Sequence, residues 1–90
     1  MFNKVKEVKP LQDYMLLVTF INGEQRLYDV KPLFDKFLAF NDLKVIPGLF
    51  ELVKVEQGGY AVVWNDNIDL ACDELYHNGI SLSQNTLIVS

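Results

Sequence analysis

The alternation of apolar and polar positions is clearest between residues 14 and 30, where two extended runs meet at Asn22-Gly23. Asn-Gly between two alternating runs is a strong hairpin signal, because a type I′ turn needs a positive φ at both of its central residues. A two-residue loop would place Thr19 opposite Arg26. We therefore predict that this stretch forms a β-hairpin with a two-residue turn.

The first strand of the predicted hairpin is apolar on both faces. Because side chains alternate across a strand, its residues divide into two sets. The two sets are Tyr14, Leu16, Val18 and Phe20 on one face, and Met15, Leu17, Thr19 and Ile21 on the other. Such a pattern is typical of a central strand that is covered on both sides. The run before it, residues 4–11, is polar and has a proline near its end, which favours an edge strand and completes a three-stranded meander.

Beyond the meander, the spacing of the apolar residues changes to that of a helix. Pro32 suits the first turn of a helix, where its missing N–H is not needed. The apolar residues that recur at helical spacing after it are Leu33, Phe34, Phe37, Leu38 and Phe40. We predict an amphipathic helix over residues 32–40, with its apolar stripe covering one face of the meander.

The second half of the chain predicts another hairpin and another helix. Residues 49–56 and 60–64 favour strands on either side of a turn at Gln57-Gly58-Gly59, and we expect this hairpin to extend the same sheet. After an extended segment, the pattern predicts a short helix over residues 71–77. Gly79 would be its left-handed cap.

These elements make an α+β domain over residues 1–79, built on an antiparallel sheet of about five strands. Residues 80–90 would form a C-terminal extension, either an extra strand or a tail. Its apolar segment, Leu87 to Val89, favours pairing with its own sheet or with a second copy, so we expect a homodimer. The predicted core consists of Leu16, Val18, Phe20, Leu27, Phe34, Phe37, Leu38, Val53, Val63, Leu70 and Leu75.

The composition narrows the classes of function. The chain has 90 residues, of which 50% are apolar, and a net charge of −4. An acidic chain gains no counterion-release affinity for phosphates, so we expect no direct nucleic-acid binding. A single cysteine allows no internal disulfide and fits a reducing compartment. The first residues lack the apolar segment of a signal peptide, and no apolar run approaches the ~20 residues that span a membrane. We therefore expect a cytoplasmic protein without membrane association.

The residue types that carry catalysis occur at unsuitable spacings. Cys72 and His77 are five residues apart, about 140° around a helix axis, and do not form the hydrogen-bonded pair that nucleophilic catalysis requires. The acidic residues between 66 and 74 lack the glycine of a calcium loop, and one His with one Cys makes no zinc set. We expect no catalytic residues, no metal and no cofactor, and therefore no enzyme.

Aromatic side chains with polar tips are the remaining candidates for a binding site. Trp64 and Tyr76 have such tips, and carboxylates lie near them in the sequence. A core position is the commoner role for an aromatic residue in a small domain. The candidate ligand- or partner-binding residues are Trp64, Asp69, Asp73 and Tyr76.

Several short motifs follow one another in order along residues 4–77. They are Phe20-Ile21-Asn22-Gly23-Glu24, Tyr28-Asp29-Val30 with Pro32-Leu33, Phe40, Leu43, Phe50, Val53, Val55, Trp64, Ile68-Asp69-Leu70, Asp73 and Leu75-Tyr76. In order and spacing they resemble the small bacterial family catalogued as domain of unknown function 2442. The chain departs from that pattern at Asn65-Asp66-Asn67, where Pro and Gly are usual, and at Cys72, where Pro is common.

The resemblance implies an α+β fold and supplies no established catalytic residues. Some members of the family precede a helix-turn-helix domain, and others are encoded beside a second small protein, which suggests toxin–antitoxin pairing. With the acidic charge, this favours a protein-interaction module, such as the antitoxin-like or regulatory member of a two-protein pair, whose partner is a small basic protein. The alternative is a small-ligand sensor or regulatory domain with a groove near Trp64 and Tyr76.

Overall fold

A computed structural model describes residues 3–82 and divides their strands between two antiparallel sheets. The first sheet has the order β1-β2-β3-β7, and its strands are Val5–Leu11, Met15–Phe20, Gln25–Asp29 and Ile80–Ser81. The second has the order β4-β5-β6, and its strands are Lys54–Val55, Ala61–Asn65 and Ile68–Ala71. The predicted α+β class with antiparallel strands is confirmed, but the second hairpin forms a sheet of its own instead of extending the first.

In the described range, three short α-helices and three 3₁₀ turns connect the strands. The helices are α1 (Leu33–Lys36), α2 (Asp42–Val45) and α3 (Cys72–Asn78). The 3₁₀ turns are Gln12–Tyr14, Leu38–Asn41 and Phe50–Leu52. None of the helices within residues 3–82 is long and apolar enough to cross a membrane.

The hairpin at Asn22-Gly23 is present, but its loop is one residue longer than predicted. Thr19 pairs with Gln25, not with Arg26. The amide of Gly23 donates to the carbonyl of Phe20, and Gly23 has a φ of +92°, which suits glycine. A turn followed by a left-handed residue is the usual three-residue hairpin loop. The extra residue changes the register, so Leu17 lies opposite Leu27.

Strand β2 is internal to its sheet, as predicted, but only one of its faces is fully buried. Leu16, Val18 and Phe20 are completely enclosed. The other face, which carries Met15 and Leu17, is half-buried in the described part of the chain. The expectation that both faces are covered is therefore wrong for residues 3–82. Strand β1 is an edge strand of this sheet, as predicted.

The predicted helix over residues 32–40 is interrupted at Phe37. The backbone of Phe37 is extended, with φ −129° and ψ 117°, so α1 ends at Lys36 and a 3₁₀ turn begins at Leu38. One helical turn buries Leu33 and Phe34. After the break, Phe37 and Leu38 point outward and are 54% and 87% exposed, so their prediction as core residues is wrong.

The second helix is present, but the role predicted for Gly79 is wrong. Gly79 follows α3 with φ −81° and ψ 155°, which is extended and not left-handed. A Cβ at this position would lie 2.5 Å from the carbonyl oxygen of Leu75 and 3.0 Å from the Cβ of Arg26. Glycine is needed here because a Cβ would meet both the last turn of α3 and strand β3. The chain then pairs Ile80 with Leu27 to form β7.

The rest of the predicted core is largely observed. Leu16, Val18, Phe20, Phe34, Val53, Leu70 and Leu75 are buried. Leu27 and Val63 are only half-buried, because both lie on outer faces of their sheets. The predicted role of Leu87, Ile88 and Val89 concerns residues that lie outside the described range.

Candidate functional site

A cleft separates the segment 33–40 from the edge strand β6. It has a volume of about 440 Å³ and is lined by Leu33, Lys36, Phe37, Phe40, Asn67, Asp69, Leu70, Ala71 and Glu74. We call it the β6 cleft. Its position follows from the break at Phe37, because a continuous helix over residues 32–40 would direct the side chains of this segment differently.

The walls of the β6 cleft are apolar at depth. Leu33, Phe40 and Leu70 line it and are each 7% exposed, so they form a buried floor. Phe37 stands at the mouth with its ring centroid 6.0 Å from that of Phe40. Leu38 follows it in the chain and is almost fully exposed. The β6 cleft therefore combines a buried apolar floor with an exposed phenylalanine at its mouth, and the exposed Leu38 is the next residue in the chain.

Two carboxylates and one ammonium group face the same space. Asp69 and Glu74 line the β6 cleft together with Lys36. The phenol of Tyr28 donates a hydrogen bond of 2.7 Å to Oε2 of Glu74, which orients that carboxylate. Burial, followed by the proximity of Glu74, raises the pKa of the Tyr28 phenol well above its ordinary value. The phenol thus remains a donor to Glu74 at neutral pH.

A second hollow continues the cleft past Glu74. It has a volume of about 300 Å³, and Leu33, Lys36 and Glu74 line both spaces. Its other side is formed by β3 and the start of β7, where Tyr28 and Ile80 lie. The charged side chains Lys36 and Glu74 therefore stand where the two spaces meet.

Trp64, the first of the predicted binding residues, is a structural residue behind the cleft. Trp64 is only 6% exposed, and its ring N–H donates a 3.0 Å hydrogen bond to the carbonyl of Phe50. Its ring stacks on Phe50 and meets Phe40 edge-on, with centroids 6.0 and 6.1 Å away. Trp64 thus supports Phe40, which forms part of the floor.

Tyr76 lies on the other side of α3 from the cleft. Its hydroxyl donates to Oε1 of Glu24, and the Arg26 guanidinium lies 4.0 Å from the centre of its ring. This hydrogen bond is the main cause of the lowered pKa of the Glu24 carboxyl. Residues two apart on a helix point in roughly opposite directions, so Tyr76 and Glu74 face different surfaces. Neither the β6 cleft nor the hollow that continues it is lined by Trp64 or Tyr76.

The two predicted aspartates have different surroundings. Asp69 is exposed and lines both the β6 cleft and a further hollow of about 350 Å³ that Trp64 also lines. Asp73 is half-buried, and its Oδ1 lies 4.0 Å from the Sγ of Cys72. Of the four predicted residues, only Asp69 therefore faces the cleft.

Cys72 and His77 do not meet. Cys72 is buried, and burial raises the pKa of its thiol, which makes the thiolate scarce at neutral pH. His77 is exposed near the end of α3, with its ring beside that of Tyr76. Within the described range, no three His, Cys, Asp or Glu side chains are grouped so that they could hold a metal ion.

Sequence reasoning missed most of the residues that line the cleft. Leu33, Phe37 and Phe40 were assigned to one buried stripe, and Lys36 and Glu74 were assigned no binding role. The pattern of apolar residues carries no signal for the extended backbone at Phe37, which separates the buried from the exposed members of that stripe. Asp69 was found because carboxylates cluster near it in the sequence.

The comparison with family models gives one match, which covers residues 5–81. The matching family is described as "Protein of unknown function (DUF2442)". The chain belongs to this family. The matched range ends at β7, so it includes both sheets and α3. No curated protein and no solved structure matches the chain significantly.

Proposed function

We propose that this DUF2442 chain is a protein-interaction module and that the β6 cleft is its docking surface. One observation carries the proposal: two consecutive apolar residues, Phe37 and Leu38, are exposed beside a cleft with an apolar floor. Single exposed apolar residues are ordinary, whereas adjacent ones at the mouth of a groove are typical of a surface that a partner covers.

The charges indicate the chemistry of the partner. Two carboxylates and one ammonium group line the β6 cleft, and the whole chain has a net charge of −4. A basic partner would be attracted over a long range and aligned at close range. We therefore propose a small basic protein, with this chain as the antitoxin-like or regulatory member of a two-protein pair in the cytoplasm.

A small-ligand sensor is the second candidate. The volume of the β6 cleft, about 440 Å³, lies within the range of small-molecule sites. The groove expected for such a ligand near Trp64 and Tyr76 does not support it, because the polar tips of both side chains are already hydrogen-bonded. A ligand in the β6 cleft would contact Phe37 and Asp69 instead.

The test is affinity capture from the native host with three forms of the tagged chain. The first is the unaltered protein, the second carries Phe37→Ser and Leu38→Ser, and the third carries Ile21→Ser. Ile21 is a matched control because it is 64% exposed and lies in the loop between β2 and β3, away from the cleft. All three substitutions affect exposed side chains, so the melting temperatures should stay close together.

We expect the unaltered protein and the Ile21→Ser variant to retain one small basic protein in equimolar amount. The double variant should lose it while remaining folded. Equal retention by all three forms would show that the β6 cleft is not the docking surface. Recovery of no stoichiometric protein by any form would contradict the interaction-module proposal itself.

A further inference from the structure

Strand β6 forms one edge of the second sheet, and its free edge faces the β6 cleft. The sheet order is β4-β5-β6, so among residues 3–82 β6 is paired on one side only. At about 3.3 Å per residue, its four residues present an edge about 13 Å long. Residues 67–71 of this edge line the cleft through Asn67, Asp69, Leu70 and Ala71. The open edge and the cleft are therefore one feature.

The register shows which backbone groups face outward. The amide of Cys72 donates a 2.8 Å hydrogen bond to the carbonyl of Tyr60, and Leu70 lies opposite Val62. Because alternate residues of an antiparallel strand face the same neighbour, the backbone groups of Cys72 and Leu70 face β5. Those of Asp69 and Ala71 consequently face the cleft.

Three of these outward groups are available to a further strand. The carbonyl of Ala71 precedes α3 and accepts the first bond of that helix. The three groups that remain available to a further strand are the N–H and C=O of Asp69 and the N–H of Ala71. Within residues 3–82, none of these three groups has a backbone hydrogen-bond partner outside the sheet ladder. An unpaired row of this kind is a template for pairing with another chain.

We propose that an extended, basic segment of a protein partner binds in the β6 cleft as a fourth antiparallel strand on β6. This proposal rests on the proposed function and gives it a binding mode. Both sheets of this domain are antiparallel throughout, and strand addition to a sheet edge is a recurring way of binding peptides.

The side chains around the edge predict the pattern of that segment. A residue placed directly opposite Asp69 would share its face of the sheet, where a basic side chain would meet the Asp69 carboxylate. Its neighbours would point to the opposite face, where Leu70 belongs to the apolar floor. The expected segment therefore alternates basic and apolar residues, with the basic residues donating their backbone N–H to β6.

The test uses a defined peptide, acetyl-(Val-Lys)₄-amide, titrated against the full chain and followed by NMR. Binding should slow exchange of the Asp69 amide hydrogen by about tenfold or more, since a rise of 1.4 kcal/mol in protection is a factor of ten. The same peptide with methyl groups on the backbone nitrogens of its lysines has no N–H to donate toward β6. It should bind at least about tenfold more weakly. Methyl groups on the backbone nitrogens of the valines would point away from β6 and should have little effect on binding.

Ala71→Pro provides the matching change in the protein. Ala71 is exposed and has φ −68° and ψ 150°, which proline adopts without strain, and the preceding residue is in a strand. The substitution removes one outward N–H and places a ring at the edge. We expect the variant to melt close to the parent and to bind the peptide at least about tenfold more weakly.

Three results would overturn strand addition: no binding of the Val-Lys peptide, equal binding of the lysine-methylated peptide, or unchanged binding by Ala71→Pro. Affinity capture separates this outcome from a failure of the proposed function. If Ala71→Pro still retains the native partner while the Phe37→Ser and Leu38→Ser variant loses it, the docking surface stands and strand addition is wrong. If both variants retain the partner, both proposals fail.

Discussion

The buried phenol of Tyr28 shows how one side chain links the core to the cleft. Tyr28 is 4% exposed, yet its hydroxyl reaches Glu74, which lines the β6 cleft. Burial is the main cause of its raised pKa, and the hydrogen bond to a carboxylate adds to it. Burial and the neighbouring carboxylate both favour the neutral phenol, since ionisation would place a buried negative charge beside that of Glu74.

We predict that Tyr28→Phe destabilises the protein at neutral pH and does so less in alkaline solution. Losing the bond to Glu74 should lower the free energy of unfolding by about 1–2 kcal/mol. The raised pKa means that the folded parent keeps its proton above pH ~10, where the unfolded chain loses it. The stability of the parent therefore falls as the pH rises above 10. Tyr28→Phe lacks this source of pH dependence, because phenylalanine has no proton to lose.

Urea unfolding at pH 8 and pH 11 measures this effect. The difference in free energy between the parent and Tyr28→Phe should shrink at the higher pH. Glu74→Gln, which keeps an acceptor and removes the charge, should show nearly the same decline between these pH values, because burial, the main cause of the raised pKa, remains. A difference that is the same at both pH values would mean that Tyr28 does not hold its proton through burial and Glu74.

Among the elements, the sequence predicted the strands better than the helices. Strands β2 and β3 alternate over enough residues to define two faces, so their pairing was found and only the loop length was wrong. Each helix before β4 has four residues, too few for a 3.6-residue period to mark its ends. The break at Phe37 depends on how the chain packs over the first sheet, which local propensity does not contain.

At the junction of α3 and β7, we predict that a substitution of Gly79 strongly lowers the stability of the protein. Gly79→Ala would place a Cβ 2.5 Å from the carbonyl oxygen of Leu75, although its φ of −81° suits alanine. The Cβ would also lie 3.0 Å from the Cβ of Arg26 in β3, so the chain at the end of α3 must shift, and we expect a loss of about 1–3 kcal/mol in the free energy of unfolding.

Gly23→Asn is the control for this substitution. Gly23 has a φ of +92° with open space around it, and asparagine tolerates the left-handed region. Its cost should be smaller than that of Gly79→Ala in denaturant unfolding. If Gly79→Ala proved as stable as the parent, the close approach of Gly79 to Leu75 and Arg26 would be wrong.

At the scale of the whole molecule, the outer face of the first sheet carries a row of apolar side chains that residues 3–82 leave partly uncovered. The register aligns Leu17, Leu27 and Ile80 across three strands, and Ile80 is 62% exposed. The sequence predicted one sheet with both faces of β2 covered, so it did not predict this exposed face. The pattern of β2 alone does not show which elements lie over it. The homodimer stays a prediction. The sequence favoured the tail or a sheet edge for its interface, whereas we place the interface on this face.

Light scattering of the full chain at high concentration tests that interface. We expect a dimer, and we expect Leu17→Lys to convert it to a monomer, because two lysines would face each other across a two-fold axis. Asp66→Lys, in the turn between β5 and β6, should leave the dimer intact. A chain that is monomeric at all concentrations would refute the dimer. A dimer that Leu17→Lys does not affect would place its interface elsewhere.

The β6 cleft could be predicted from the sequence only in part. Asp69 was named because it belongs to an acidic group, and the apolar lining residues were recognised as apolar. Their meeting in one cleft depends on two long-range facts: the second hairpin forms its own sheet, and its edge strand faces the interrupted helix. Neither fact is encoded in a local pattern.

The most direct test of the docking surface is site-specific photo-crosslinking in the native host. A benzophenone amino acid replaces Phe37 in one form of the chain and Ile21 in another, since both side chains are more than half exposed. We predict one cross-linked product from position 37, in which the chain is joined to a small basic protein, and no such product from position 21. The same protein joined at position 21 and not at position 37 would contradict the assignment of the β6 cleft as the docking surface.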